Sequence, residues 1–299
     1  MRPFPIFLAV VLLGAVCSRS ASAQSQLGAQ GAEGEPDREQ QWLVPTPDPD
    51  RPAHAMLFRP TGDGPFRLAL IAHASTQNVL RRAQMPQPEY RVLASFLVAR
   101  GFAVLVPERL GHGVTGGSYL EDQGSCDEPD YISSGRATAH QIALALDFLR
   151  GQPFIRRAGA VVVGHSAGGW GALALAGEDP KAVGAIVGFA PGRGGHANDF
   201  PDQVCAPHTL TAAAAAFGRG ARVPVTWLVA ANDSYFSPEL SRQLADAFRG
   251  AGGEAFFSVL AASGSEGHWM AETEGGIGLA APELDRALKL QLPVAVKKR

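Results

Sequence analysis

The sequence predicts an α/β fold: a mostly parallel central sheet with helices on both faces and no large cap domain. Three observations carry this. Short apolar runs rich in β-branched residues alternate with stretches of helical period, the pattern of parallel strands joined by crossover helices. One of these runs leads directly into a Gly-x-Ser-x-Gly turn and then into small helix-forming residues. Only about 35 residues separate the run ending near Phe189 from the one starting near Val225, too little for an independent cap layer.

The composition agrees with an ordered globular chain. Of 299 residues, 46% are apolar and 18% charged, which excludes wholesale disorder, and the 35 Gly and 22 Pro lack the fixed period of a fibrous repeat. Arg2 precedes an apolar run from Ile6 to Val16 and then Ala21-Ser22-Ala23, so residues 1–23 are expected to be a signal peptide cleaved after Ala23. That run is too short to span a bilayer. The mature chain is expected to be periplasmic or secreted. It loses Arg2 and Arg19 but no acid, leaving 24 basic against 28 acidic residues and a net charge of −4. Nothing in that balance recruits nucleic acid or a membrane surface.

Residues 24–52 carry five prolines and little apolar periodicity and are expected to form an extended leader, with Trp42-Leu43-Val44 docking on the body. The domain proper is expected over 53–292. Its strands are Ala55–Phe58, Leu68–Ala72, Phe102–Val106, Ala160–Val163, Ala185–Phe189, Val225–Ala230 and Ala255–Leu260. Ile142, Ala145, Leu146 and Leu149 fall at helical spacing, so 136–150 is a helix. A second runs from Ser237-Pro238, an N-cap followed by proline, to Gly250. A short Ala-rich helix covers 209–217, and residues 293–299, ending Lys297-Lys298-Arg299, read as a solvated basic tail.

The chemistry centres on Ala160–Gly171, AVVVGHSAGGWG. A strand entering Gly164-His165-Ser166-Ala167-Gly168 and leaving as a helix is the context in which Ser166 serves as a nucleophile. The glycines keep the crowded turn free of side chains, and the helix start favours developing negative charge. A serine hydroxyl needs a base and an orienting acid. Asp233, after the strand Val225–Ala230, and His268, after Ala255–Leu260, follow Ser166 in the required order. Asp199, beyond Phe189, is the alternative acid. His165, in the variable position of the turn, is expected to point away from the base and to pack or bond locally. Oxyanion donors are expected from the backbone N–H of Ala167 and from the loop after Leu68–Ala72, with Ser75 chosen and Ala74 the runner-up. Cys205-Ala-Pro-His208 is half a metal-site spacing with no second half, so no zinc and no cofactor are expected. Cys126 and Cys205 form an even pair in an exported chain, a candidate disulfide.

With these residues in place, the chain resembles the α/β-hydrolase superfamily, in its dienelactone-hydrolase-like and serine-esterase part, over nearly all of 55–290. Pro107-Glu108-Arg109-Leu110-Gly111-His112-Gly113 is similar to that family's strand-4 loop, with Glu108 where aspartate is usual. Dienelactone hydrolases proper use cysteine as nucleophile, whereas Ser166 stands here. The resemblance implies a serine hydrolase of carboxylic esters, small-molecule or polymeric. Its site is expected to be uncapped, to favour short acyl groups and to have Tyr235 and Trp269 at its rim. Peptide or amide hydrolysis by the same triad is the alternative, and a non-catalytic binding protein of this fold a weaker one.

Overall fold

The computed structural model describes residues 26–178 and 183–289; the expected signal peptide and basic tail lie outside them. Among the described residues, nine strands form one sheet: β1 (Gly28–Gly34), β2 (Glu39–Val44), β3 (Ala53–Phe58), β4 (Arg67–Ala72), β5 (Phe102–Pro107), β6 (Ala160–His165), β7 (Val183–Phe189), β8 (Val225–Ala230) and β9 (Ala255–Leu260). Their order is β1-β2-β3-β5-β4-β6-β7-β8-β9. β1, β2 and β3 are antiparallel to their neighbours, and β4 to β9 run parallel. β5, β6 and β8 are buried along their whole length, as parallel strands covered on both faces must be.

The α-helices among the described residues are α1 (Val79–Ala83), α2 (Arg91–Val98), α3 (Tyr131–Arg150), α4 (Ala167–Glu178), α5 (Pro207–Gly220), α6 (Pro238–Gly250) and α7 (Glu274–Lys289). α3 to α6 bury Leu146, Leu173, Leu210 and Leu244 in the core on one face. α2 and α7 bury Leu93, Leu97, Ile277 and Leu284 on the other. Ser237 caps α6 by accepting from Leu240 N, with Pro238 in the first turn, and Asp130 caps α3 through Ser133 N. No described helix is long and apolar enough to cross a membrane.

The stretch 24–52 departs from its expectation as a leader outside the domain. It supplies β1 and β2, and β2 pairs with β3 from Gln40↔Leu57 to Val44↔Ala53. The reason is burial: Trp42 meets Phe148 and Phe154 edge to face at 6.4 and 5.8 Å, and Val44 is fully enclosed. Such burial outweighs the weak strand preference of the surrounding Gln, Gly and Glu.

The strand order also positions the site. β4 and β6 are neighbours, yet the chain leaves β4 towards β5 on one side and β6 towards β7 on the other. A crevice therefore opens outside their carboxyl ends. A disulfide joins Cys126 to Cys205, with Cα atoms 4.8 Å apart, tying the segment after β5 to the segment after β7.

Candidate active site

Ser166 sits between the last residue of β6 and the first of α4, at φ +54°. A side chain rarely adopts that conformation, and here the surroundings enforce it. Its N–H donates to Phe189 O at 2.9 Å, and its carbonyl accepts from Trp170 N at 2.8 Å and Gly192 N at 3.2 Å. The flanking glycines are required by close approach. A Cβ on Gly164 would lie 2.5 Å from Gly169 Cα, and one on Gly168 would sit on the carbonyl of Ala72.

Asp233 and His268 meet behind the cavity wall. Asp233 follows β8, where its Oδ1 accepts from Tyr235 N at 2.9 Å and Phe236 N at 2.8 Å. Its Oδ2 lies 3.0 Å from His268 Nδ1, both side chains essentially without exposure. A carboxylate only accepts, so Nδ1 carries the proton and Nε2 is left to act as a base. Burial lowers the His268 pKa below its ordinary 6.5, partly offset by the bond and the charge of Asp233. Glu266 clamps the two loops together: it accepts from His268 N at 2.9 Å and from Ser234 N at 3.1 Å, and also takes the Ser234 hydroxyl proton. The ring of Tyr235 stacks on His268 at 4.2 Å.

The loop after β4 lies beside Ser166. His112 Nδ1 is 3.0 Å from Arg109 O and 3.1 Å from Leu110 O, so that nitrogen donates. Burial drives the His112 pKa to about 4, and the neutral ring then accepts the Ser75 hydroxyl proton at Nε2, 2.7 Å away. The Ala74 N–H donates to Tyr90 Oη at 3.1 Å, so of the two expected donors in this loop it is the Ala74 amide that is engaged elsewhere. Ala167 opens α4 ahead of its first internal bond, from Trp170 N to Ser166 O, a position whose N–H has no helical partner.

No protein-family model matches the chain, and no curated protein matches it in sequence. Solved structures do match in fold. An esterase from Pyrococcus furiosus superposes with a TM-score of 0.56 at 12% identity, over 89% of this chain and 95% of that one. A Klebsiella pneumoniae protein assigned as a dienelactone hydrolase gives 0.53 at 16%, over 84% and 98%. A Mycobacterium tuberculosis puromycin-hydrolyzing peptidase gives 0.57 at 15%, over 85% of this chain and 39% of its own. The chain has the α/β-hydrolase fold.

Within that α/β-hydrolase fold, Ser166, Ala167, Ser75 and His268 line one cavity of about 1120 Å³ with Tyr235 and Trp269. The short segment between β7 and β8 does not enclose this volume by itself. The extra wall comes from residues 74–92, a segment long enough to enclose space without a cap. Asp199, the alternative acid, is not bonded to His268. Its exposed carboxylate pairs with Arg81 at 3.0 Å on the cavity edge. His165 does not turn away from the base segment either, because its Nε2 lies 2.8 Å from the carbonyl of His268. Beneath the floor, Glu121 is fully enclosed between Arg109 and Arg193. Burial alone would raise its pKa, but the two guanidinium groups hold it well below the carboxylate range. Arg193, Glu121, Glu266 and Tyr90 had no motif to announce them. Only Glu266, two residues before His268, left a local trace as a capping acid.

Proposed function

We propose that the chain is an exported serine hydrolase of carboxylic esters. Ser166 Oγ attacks the ester carbonyl while His268 Nε2 takes its proton, and Asp233 stabilises the resulting imidazolium. The N–H groups of Ala167 and Ser75 receive the oxyanion. Collapse expels the alcohol with the proton returned by His268. Water, activated by the same base, then releases the acid from Ser166. The observation that carries this reading is the enclosed Asp233–His268 pair at 3.0 Å, with His268 lining the same cavity as Ser166 at its positive φ. The room in the cavity suits a bulky alcohol component with a short acyl group. The disulfide and the expected signal peptide favour an oxidising compartment outside the cytoplasm.

The test is to treat the mature protein with a fluorophosphonate and to assay acetyl, butyryl and palmitoyl esters beside matched anilides. Labelling of wild type but not Ser166→Ala, with acetyl or butyryl ester cleavage fastest, is expected. Absence of labelling, or turnover confined to anilides, would sink the ester reading.

A further inference from the structure

Tyr90, His165 and the His268 segment are joined by a chain of hydrogen bonds whose polarity is fixed at both ends. Ala74 N–H can only donate, so Tyr90 Oη accepts it, at 3.1 Å. The carbonyl of His268 can only accept, so His165 Nε2, 2.8 Å away, carries a proton. In the tautomer with its proton on Nε2, Nδ1 is the acceptor and takes the Tyr90 hydroxyl proton across 2.8 Å. The Glu272 carboxylate faces both members of this chain, with Oε1 3.4 Å from the same nitrogen and a hydrogen bond to the Tyr90 side chain. The chain thus runs from the loop after β4, through Tyr90 and the residue preceding Ser166, to the backbone of His268. Tyr90 also stands at φ +48°, where it begins α2 with no side-chain cap. A bulky residue held there is strained, and such strain persists only where the surroundings over-determine it.

We propose that Tyr90 and His165 are positioning residues that hold the oxyanion-binding loop at a set distance from the general base, with Tyr90 engaging the Ala74 amide so that the Ser75 amide is the one presented to the oxyanion. This rests on the hydrolase reading above. Neither side chain is required to touch the reacting atoms. The arrangement acts on the transition state, because the charge that Ser75 N–H meets develops only there.

The experiment compares Tyr90→Phe, His165→Leu, His165→Gln and the double variant Tyr90→Phe/His165→Leu with wild type. Glutamine offers a donor and an acceptor at about the separation of the two ring nitrogens, so it can remake the chain; leucine cannot. Removing an oxyanion donor outright costs roughly 10²–10³ in kcat, and loosening one is expected to cost about tenfold. Tyr90→Phe and His165→Leu are therefore each expected to lower kcat on a 4-nitrophenyl ester about tenfold, with KM within about twofold. The affinity of an arylboronic acid, which forms a tetrahedral anion on serine, is expected to fall by the same factor. His165→Gln is expected to recover most of the loss. The double variant is expected to be no worse than the poorer single one, since both break one chain. Unchanged kcat and boronate affinity in Tyr90→Phe would overturn the proposal, as would losses that multiply in the double variant. If Tyr90→Phe does not fold, equal kcat in His165→Leu and His165→Gln overturns it instead. Wild-type protein that takes no fluorophosphonate overturns the hydrolase reading and this proposal with it. Normal wild-type labelling with unaffected variants overturns this proposal alone.

Discussion

Asp233→Asn isolates the charge that faces His268 while leaving the loop in place. The asparagine Oδ1 still accepts from Tyr235 N and Phe236 N, as the carboxylate does, so the turn is retained. What changes is the atom opposite His268 Nδ1: an NH₂ group cannot accept, and the imidazolium formed during attack loses its counter-charge. At the observed 3.0 Å and an effective dielectric of about 20, that attraction amounts to about 5.5 kcal/mol, or about four decades in rate. Both side chains are enclosed, so solvent screening subtracts little. The assay is kcat on 4-nitrophenyl acetate with active sites counted by phosphonate titration, run in parallel on Asp199→Asn. Loss of about 10³–10⁴-fold is expected for Asp233→Asn. The exposed Asp199–Arg81 pair is expected to matter less than twofold, since such pairs contribute little. A tenth or more of wild-type activity in Asp233→Asn, or crippling loss in Asp199→Asn, would refute the assignment of the acid.

Three other outcomes follow from the same structure. Because burial lowers the His268 pKa, kcat/KM is expected to rise with pH through a midpoint below 6.5; a midpoint above 6.5 would contradict the enclosure of the ring. Glu121→Gln leaves Arg109 and Arg193 enclosed without their shared counter-charge, so a loss of about 3–5 kcal/mol is expected in denaturant titrations; a loss under about 1 kcal/mol would show that water reaches the pair. Cys126→Ser/Cys205→Ser opens a loop with a sequence separation of 79, which on chain-entropy grounds costs about 4.5 kcal/mol. Two free thiols in the unreduced, denatured wild-type protein would refute the bridge.

Much of the parallel sheet was legible because each strand from β4 to β9 is a short apolar run bounded by turn residues, and β8 and β9 match their expected limits residue for residue. The segments that escaped share a different physics. β2 is three polar residues followed by Trp42-Leu43-Val44 and bounded by prolines, with no strand alternation to read, and contacts with distant residues, such as those of Trp42 with Phe148 and Phe154, hold it in the sheet. α2 starts on Tyr90, which offers no side-chain cap, and α7 carries Pro282 and several glycines that locally oppose helix. Within the site, Ser166 was readable because its strain is written in neighbouring glycines. The meeting of Asp233 with His268 could be anticipated from chain order and strand ends alone. Arg193 and Glu121 are 72 residues apart, and no spacing rule links an ion pair across such a distance.

The place of β9 in the sheet has a consequence for how the protein dies on heating. Among the described residues β9 pairs with β8 alone and is the outermost strand on its side, with Phe256 and Val259 exposed. The segment bearing His268 hangs from that strand. An edge strand opens at a free energy that is a fraction of that for the whole chain, so local opening at β9 reaches the His268 segment without unfolding the rest of the sheet. Loss of ester hydrolysis on heating is therefore expected to precede the loss of bulk secondary structure followed by circular dichroism.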